Sequence, residues 1–173
     1  MKKILFFLLT IVGISGCSFR HVPIKGEYLT KPFEISSPKT FDEVWGKTID
    51  MFAQNGISIK LIDKSSGLLV SDISSLTWSF ENDEGKLSKP EAYVVIEKII
   101  DPGPMRPMKP NRVTGDWNIR IKSDSSGSTR ININLVNIKA EMILPSHNGV
   151  SETWEIQARS TGNFEKSIAE YIK

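Results

Sequence analysis

The chain has 173 residues, 39% of them hydrophobic and 24% charged, with a single cysteine. It is too apolar for a disordered chain, too poor in cysteine for a disulfide scaffold, and long enough for one domain with a sizeable core. The formal charge of +2 comes from Lys2 and Lys3 alone, so the rest of the chain lacks the basic footprint of a nucleic-acid-binding protein.

Lys2 and Lys3 precede an apolar run over residues 4–14, broken only by Thr10 and Gly13. The run is shorter than the roughly 20 apolar residues of a transmembrane helix, and it has the layout of a secretory signal peptide. The stretch Ile14-Ser15-Gly16-Cys17 that closes it resembles a bacterial lipobox. The resemblance implies cleavage after Gly16 and a diacylglycerol and an acyl chain on Cys17. Several acyl chains together make an anchor that needs no transmembrane segment. The resemblance also reads the next residue. Lipoproteins kept in the inner membrane of two-membrane bacteria often carry Asp after the lipidated cysteine. Here that residue is Ser18, which implies the outer membrane. The absence of an acidic run after Cys17 implies its periplasmic face.

Residues 17–31 mix Arg20, His21, Pro23, Lys25, Gly26 and Glu27 without sustained periodicity and read as a flexible tether. His21 has no cluster of metal-ligating partners nearby in sequence. The domain is expected over residues 32–173.

Phe33 and Ile35 alternate with Glu34 and Ser36 and predict a short strand. Thr40 and Glu43 have capping-box spacing. Phe41, Val44, Trp45, Thr48, Ile49 and Phe52 then lie on one helical face, and Asn55-Gly56 supplies the stop. A hairpin follows, with Ile57, Ile59 and Leu61 in one strand, a turn at residues 63–67 in which Gly67 takes positive φ, and a return strand over 68–73. Trp78 and Phe80 extend the sheet, residues 81–86 form a polar turn, and 91–100 form a further strand.

Residues 101–112 hold Pro102, Pro104, Pro107 and Pro110, which excludes helix or central strand. This is a long loop, read either as a plain connector or as a polyproline-like contact loop with Met105, Arg106 and Met108 as a partner-binding centre. Trp117, Ile119 and Ile121 predict a strand, and residues 123–128 a turn. In the next strand Ile131, Ile133 and Leu135 share one phase, whereas Val136, Ile138, Ala140 and Met142 share the other. That slip predicts a β-bulge or bend near residues 135–137. Residues 145–150 read as a turn. His147 within it has no Ser, Cys or carboxylate at nucleophile or metal spacing. Trp154, Ile156 and Ala158 predict the last strand. Phe164, Ile168, Tyr171 and Ile172 give the apolar face of a closing helix.

The order β-α-β-β-β-β-β-α predicts an α+β domain, a mostly antiparallel sheet with both helices on one face. The stretches Phe41-Asp42-Glu43-Val44-Trp45, Asn55-Gly56-Ile57 and Asp63-Lys64-Ser65-Ser66-Gly67-Leu68-Leu69-Val70 resemble envelope lipoproteins with a helix-grip-like domain. They are similar to domains of the BamC lipoproteins of the outer-membrane barrel-assembly machine. The closing Ser160-Thr161-Gly162-Asn163-Phe164-Glu165 segment is compatible with the second helix of such a domain. No catalytic residues carry over from that resemblance.

A Gly-rich phosphate loop, HExxH and GxSxG are absent from the sequence. No catalytic residue, metal site or cofactor is expected. The first reading is therefore a noncatalytic envelope module with a protein partner, in interaction or scaffolding. The alternative is a carrier or sensor of a small apolar ligand or lipid between helix and sheet, with Trp45, Phe52, Trp117, Trp154 and Tyr171 as candidate walls. An open cavity favours the alternative, and a filled core with an exposed apolar patch favours the first reading.

Overall fold

The computed structural model describes residues 18–103, 105–125, 127–144 and 151–173. The lipobox residues up to Cys17, the leader before them, and the turn at 145–150 with His147 lie outside the described residues. In chain order the elements are β1 (Arg20–Val22), β2 (Phe33–Ser37), α1 (Phe41–Gln54), β3 (Ile59–Asp63), β4 (Leu68–Ser71), β5 (Ser74–Ser75) and β6 (Trp78–Ser79). Then come β7 (Val94–Ile96), β8 (Lys98–Ile100), β9 (Arg112–Ser123), β10 (Thr129–Leu144), β11 (Glu152–Ile156), β12 (Ala158–Ser160) and α2 (Asn163–Ile172). The fold is α+β and mostly antiparallel, as the element order predicts.

The main sheet runs β11-β10-β9-β4-β3, with β2 added to β10 and β5 to β9. The two helices touch each other and rest on β9 and β10, so they share one face of the sheet. The apolar stripe of α1 buries Val44, Trp45, Thr48, Met51 and Phe52. Trp45 sits in the core and stacks on Phe41 at 5.8 Å. The ends of α1 follow from local chemistry. The Glu43 N–H donates to the Thr40 hydroxyl, and the Glu43 carboxylate accepts the Thr40 N–H at 2.8 Å. At the other end Ile57 N–H donates to the Phe52 carbonyl (2.9 Å) and Gly56 N–H to the Ala53 carbonyl (3.3 Å), with Gly56 at φ 62°. That pair of bonds closes the helix as a Schellman motif.

The phase slip in β10 is a bulge. Inward residues Ile131, Ile133 and Leu135 give way to Ala140, Met142 and Leu144. The β9–β10 register shifts between Val136 and Lys139, and Asn137 takes φ 51°. The Asn137 amide donates to the Asp116 carboxylate at 2.8 Å, so a side chain holds the one left-handed residue of the strand in place.

The structure corrects four expectations. First, residues 20–22 are not slack tether: β1 pairs with β8, Arg20 opposite Ile100 and Val22 opposite Lys98. Glu81, buried rather than in a polar turn, then accepts hydrogen bonds from Lys25 N–H (2.7 Å), Gly26 N–H (2.8 Å) and the Tyr28 hydroxyl (2.7 Å). Burial pushes the Glu81 carboxyl up, but these donors outweigh it and hold the group below the usual carboxylate range. The folded unit thus begins before residue 32. Second, the strand expected over 91–100 divides. β7 joins a small sheet between β12 and β6, whereas β8 pairs with β1. All three residues of β7 are buried, so both its faces are covered and no alternation marks it. Third, Trp78 lies in that small sheet, parallel to β7, and does not extend the main one. Fourth, the last predicted strand is two, β11 in the main sheet and β12 in the small one.

Candidate functional site

Where the C-terminal end of α1 and the face of α2 part above the sheet, a cleft of about 400 Å³ remains open. Its position follows from how each element ends. The Schellman turn at Gly56 stops α1, and Met51, Asn55 and Ile57 line the cleft at that end. α2 begins at Asn163 and brings Phe164, Ser167, Ile168 and Tyr171 along the opposite wall. β5 and Leu76 close one side, Tyr93 another, and Trp117 of β9 lies in the wall.

Three aromatic rings, Trp117, Phe164 and Tyr93, line the inner wall, and Phe52 backs Trp117. Trp117 lies 4.7 Å from Phe52, tilted, and 4.7 Å from Phe164, edge-on. Phe164 in turn meets Tyr93 edge-on at 5.1 Å. Such edge-to-face contacts hold rings more tightly than area burial alone. At the mouth the Tyr171 hydroxyl donates to the Gln54 side-chain carbonyl and ties α2 to α1. Ser74, Ser75, Ser167 and Asn55 supply the polar atoms of the rim. No residue charged at neutral pH is among the described lining residues. Such a wall suits an uncharged, largely apolar occupant, and the volume lies within the range of about 300–1,000 Å³ usual for small-molecule sites.

Of the five candidate wall residues read from the sequence, two line this cleft: Trp117 and Tyr171. Phe52 stands behind Trp117 as its stacking partner. Trp45 is core. Trp154 belongs elsewhere: it packs edge-on against Phe19 at 5.4 Å and stacks with His21 at 6.3 Å, on the N-terminal segment. Sequence reasoning missed Tyr93, Met51, Leu76 and the Ser74-Ser75 edge. Phe164 is legible in the sequence as part of an amphipathic face, but not as a cleft wall.

The proline-rich loop does not present its three named residues together. Met105 is 69% exposed, at φ 54°, and Arg106 is exposed beside it. Met108 instead packs against the core, with its N–H donating to the Ile99 carbonyl at 2.8 Å. The Asp101 N–H bonds to the Arg106 carbonyl (3.2 Å) and the Met105 N–H to the Asp101 carbonyl (3.0 Å). The loop is therefore folded back on itself rather than polyproline-like.

His21 Nδ1 lies 3.4 Å from the Glu97 carboxylate. Among the described residues no group of three His, Cys, Asp or Glu is placed to hold a metal ion, and no helix is long and apolar enough to cross a membrane. Compared with known protein families and with curated proteins, the chain matches none.

Proposed function

We propose that the protein is a noncatalytic, lipid-anchored module of the cell envelope that carries or senses a small apolar ligand in the cleft between its helices and sheet. The observation that carries this reading is the uncharged cleft at the junction of α1, α2 and β9. The likeness of the α1 and hairpin stretches to BamC-type lipoproteins supports the envelope setting. Native mass spectrometry of the protein released from envelopes is expected to show one small molecule bound. Ser167→Trp, which fills the cleft from α2, is expected to lose it. Recovery of ligand-free protein in both cases overturns the carrier reading.

The anchor is Cys17. Cys17→Ser is expected to abolish lipidation and release the protein from the membrane, read as the mass of the mature N-terminus. An unmodified Cys17 in the wild type, or cleavage elsewhere, refutes the anchor. Ser18 supports the outer membrane, and the absence of an acidic run after Cys17 supports its periplasmic face. β1 begins at Arg20, three residues beyond Cys17, so an anchored domain is held close against its membrane and not at the end of a long spacer.

An interaction or scaffolding role with an envelope protein partner is the second reading. It is favoured by the edge of the main sheet at β3, which is unpaired among the described residues and where Leu61 and Ile62 are 46% and 54% exposed, and by Ile73 nearby in sequence at 58%. An unpaired edge with apolar side chains accepts another strand readily.

A further inference from the structure

Trp117 is 1% exposed, and its indole Nε1 is the buried side-chain polar atom without a hydrogen-bond partner among the described residues. Buried indole N–H groups ordinarily find an acceptor, and one left unmade needs a reason. The backbone of Trp117 shows no such neglect, since its N–H donates to the Ser71 hydroxyl at 3.1 Å. Trp117 is also one of the residues that line the cleft.

We propose that the ligand of this cleft is a neutral amphiphile, an apolar body carrying one uncharged hydrogen-bond acceptor, and that the acceptor takes the Trp117 Nε1–H. This inference rests on the carrier reading and adds the ligand's chemistry to it. The cleft has no charge to pair with an ionised head, and an unpaired charge brought among these rings keeps its full desolvation cost. A pure hydrocarbon leaves the indole N–H as it is in the free protein. A carbonyl or ether oxygen removes that cost and adds a bond at a nitrogen that is itself buried. The Phe164 ring lies edge-on to the indole at 4.7 Å.

The test uses the full chain in phosphatidylcholine nanodiscs, with empty nanodiscs as the reference and three probes of similar length: octan-2-one, nonane and octanoate. Octan-2-one is expected to bind about tenfold more tightly than nonane, the size of one net hydrogen bond, and more tightly than octanoate. It is also expected to move the Trp117 indole signal in a proton–nitrogen correlation spectrum, where nonane does not. In Trp117→Phe, which keeps a ring between Phe52 and Phe164, the ketone and the hydrocarbon are expected to converge. If that variant fails to fold, the wild-type indole signal still decides. Equal binding of ketone and nonane with an unmoved indole signal overturns the acceptor and leaves the carrier reading standing. Preference for octanoate overturns the neutral ligand. No binding of any probe overturns both.

Discussion

Gly67→Ala is expected to destabilise the domain by about 3 kcal/mol or more. Gly67 sits at φ 69°, and a Cβ there would lie 1.9 Å from the Ile121 carbonyl oxygen, a backbone atom of the central strand β9. Left-handed backbone costs an ordinary residue about 1–2 kcal/mol. The overlap adds to this, because β9 cannot retreat: the Ile121 N–H already donates to the Gly67 carbonyl at 2.8 Å, and its side chain is buried. Gly56 is the internal control. It has nearly the same φ, 62°, but a Cβ there would meet nothing within 4 Å, so Gly56→Ala is expected to cost only about 1–2 kcal/mol. Equilibrium urea denaturation of the two variants measures the difference. Equal losses would mean that the close approach of turn and strand has no energetic weight.

The contrast between these glycines shows what the sequence discloses. The turn at 63–67, the cap at Thr40 and Glu43, and the stop at Asn55-Gly56 are legible because each is decided by bonds among residues a few positions apart. Asp63, for example, accepts from the Ser65 hydroxyl at 2.6 Å and the Ser65 N–H at 2.9 Å. The bulge in β10 is legible for a related reason. A side-chain period of two cannot change phase without an extra residue, and Val136 to Lys139 is where it changes.

What escapes the sequence is set by partners far along the chain. Nothing local marks Arg20–Val22 as a strand, since its pairing is with Lys98–Ile100. Met108 looks like a companion of Met105 until the Ile99 carbonyl draws its backbone inward. The cleft takes its walls from α1, β5, Tyr93, β9 and α2. Each segment reads by itself as ordinary core or ordinary loop, and only the separation of two helix ends leaves a space between them. The Trp117 indole is visible in the sequence as an aromatic on a strand. Its missing acceptor is not, because satisfaction of a donor is a property of its surroundings.

Glu165 is the clearest such case, and Glu165→Ala is expected to cost about 3–5 kcal/mol. On the helical pattern it is an unremarked polar position. In the structure it is 2% exposed and sits in the first turn of α2. Its Oε1 accepts the Leu135 N–H at 3.2 Å, and its two oxygens accept the Ser160 hydroxyl at 2.8 and 2.9 Å. The reason lies in β10. Along β10 the pairing with β2 stops at Ile133, opposite Phe33, and the pairing with β11 takes up at Ala140, opposite Ile156. Between them, among the described residues, no strand lies beside that edge of β10 to accept its N–H, and the carboxylate from α2 fills that gap. The N-terminal end of the helix favours the negative charge there. Alanine would strand the Leu135 N–H and leave the Ser160 hydroxyl without its acceptor, each costing about 1–3 kcal/mol when buried. Glutamine keeps the side-chain volume and one acceptor oxygen, so Glu165→Gln is expected to retain at least half of what alanine loses. Urea denaturation gives the ranking, and hydrogen exchange at Leu135 gives its cause: exchange should speed up far more in the alanine variant than at Ile131 in the same strand. Equal stabilities of the alanine and glutamine variants would show that Glu165 fills space without bridging the strand gap.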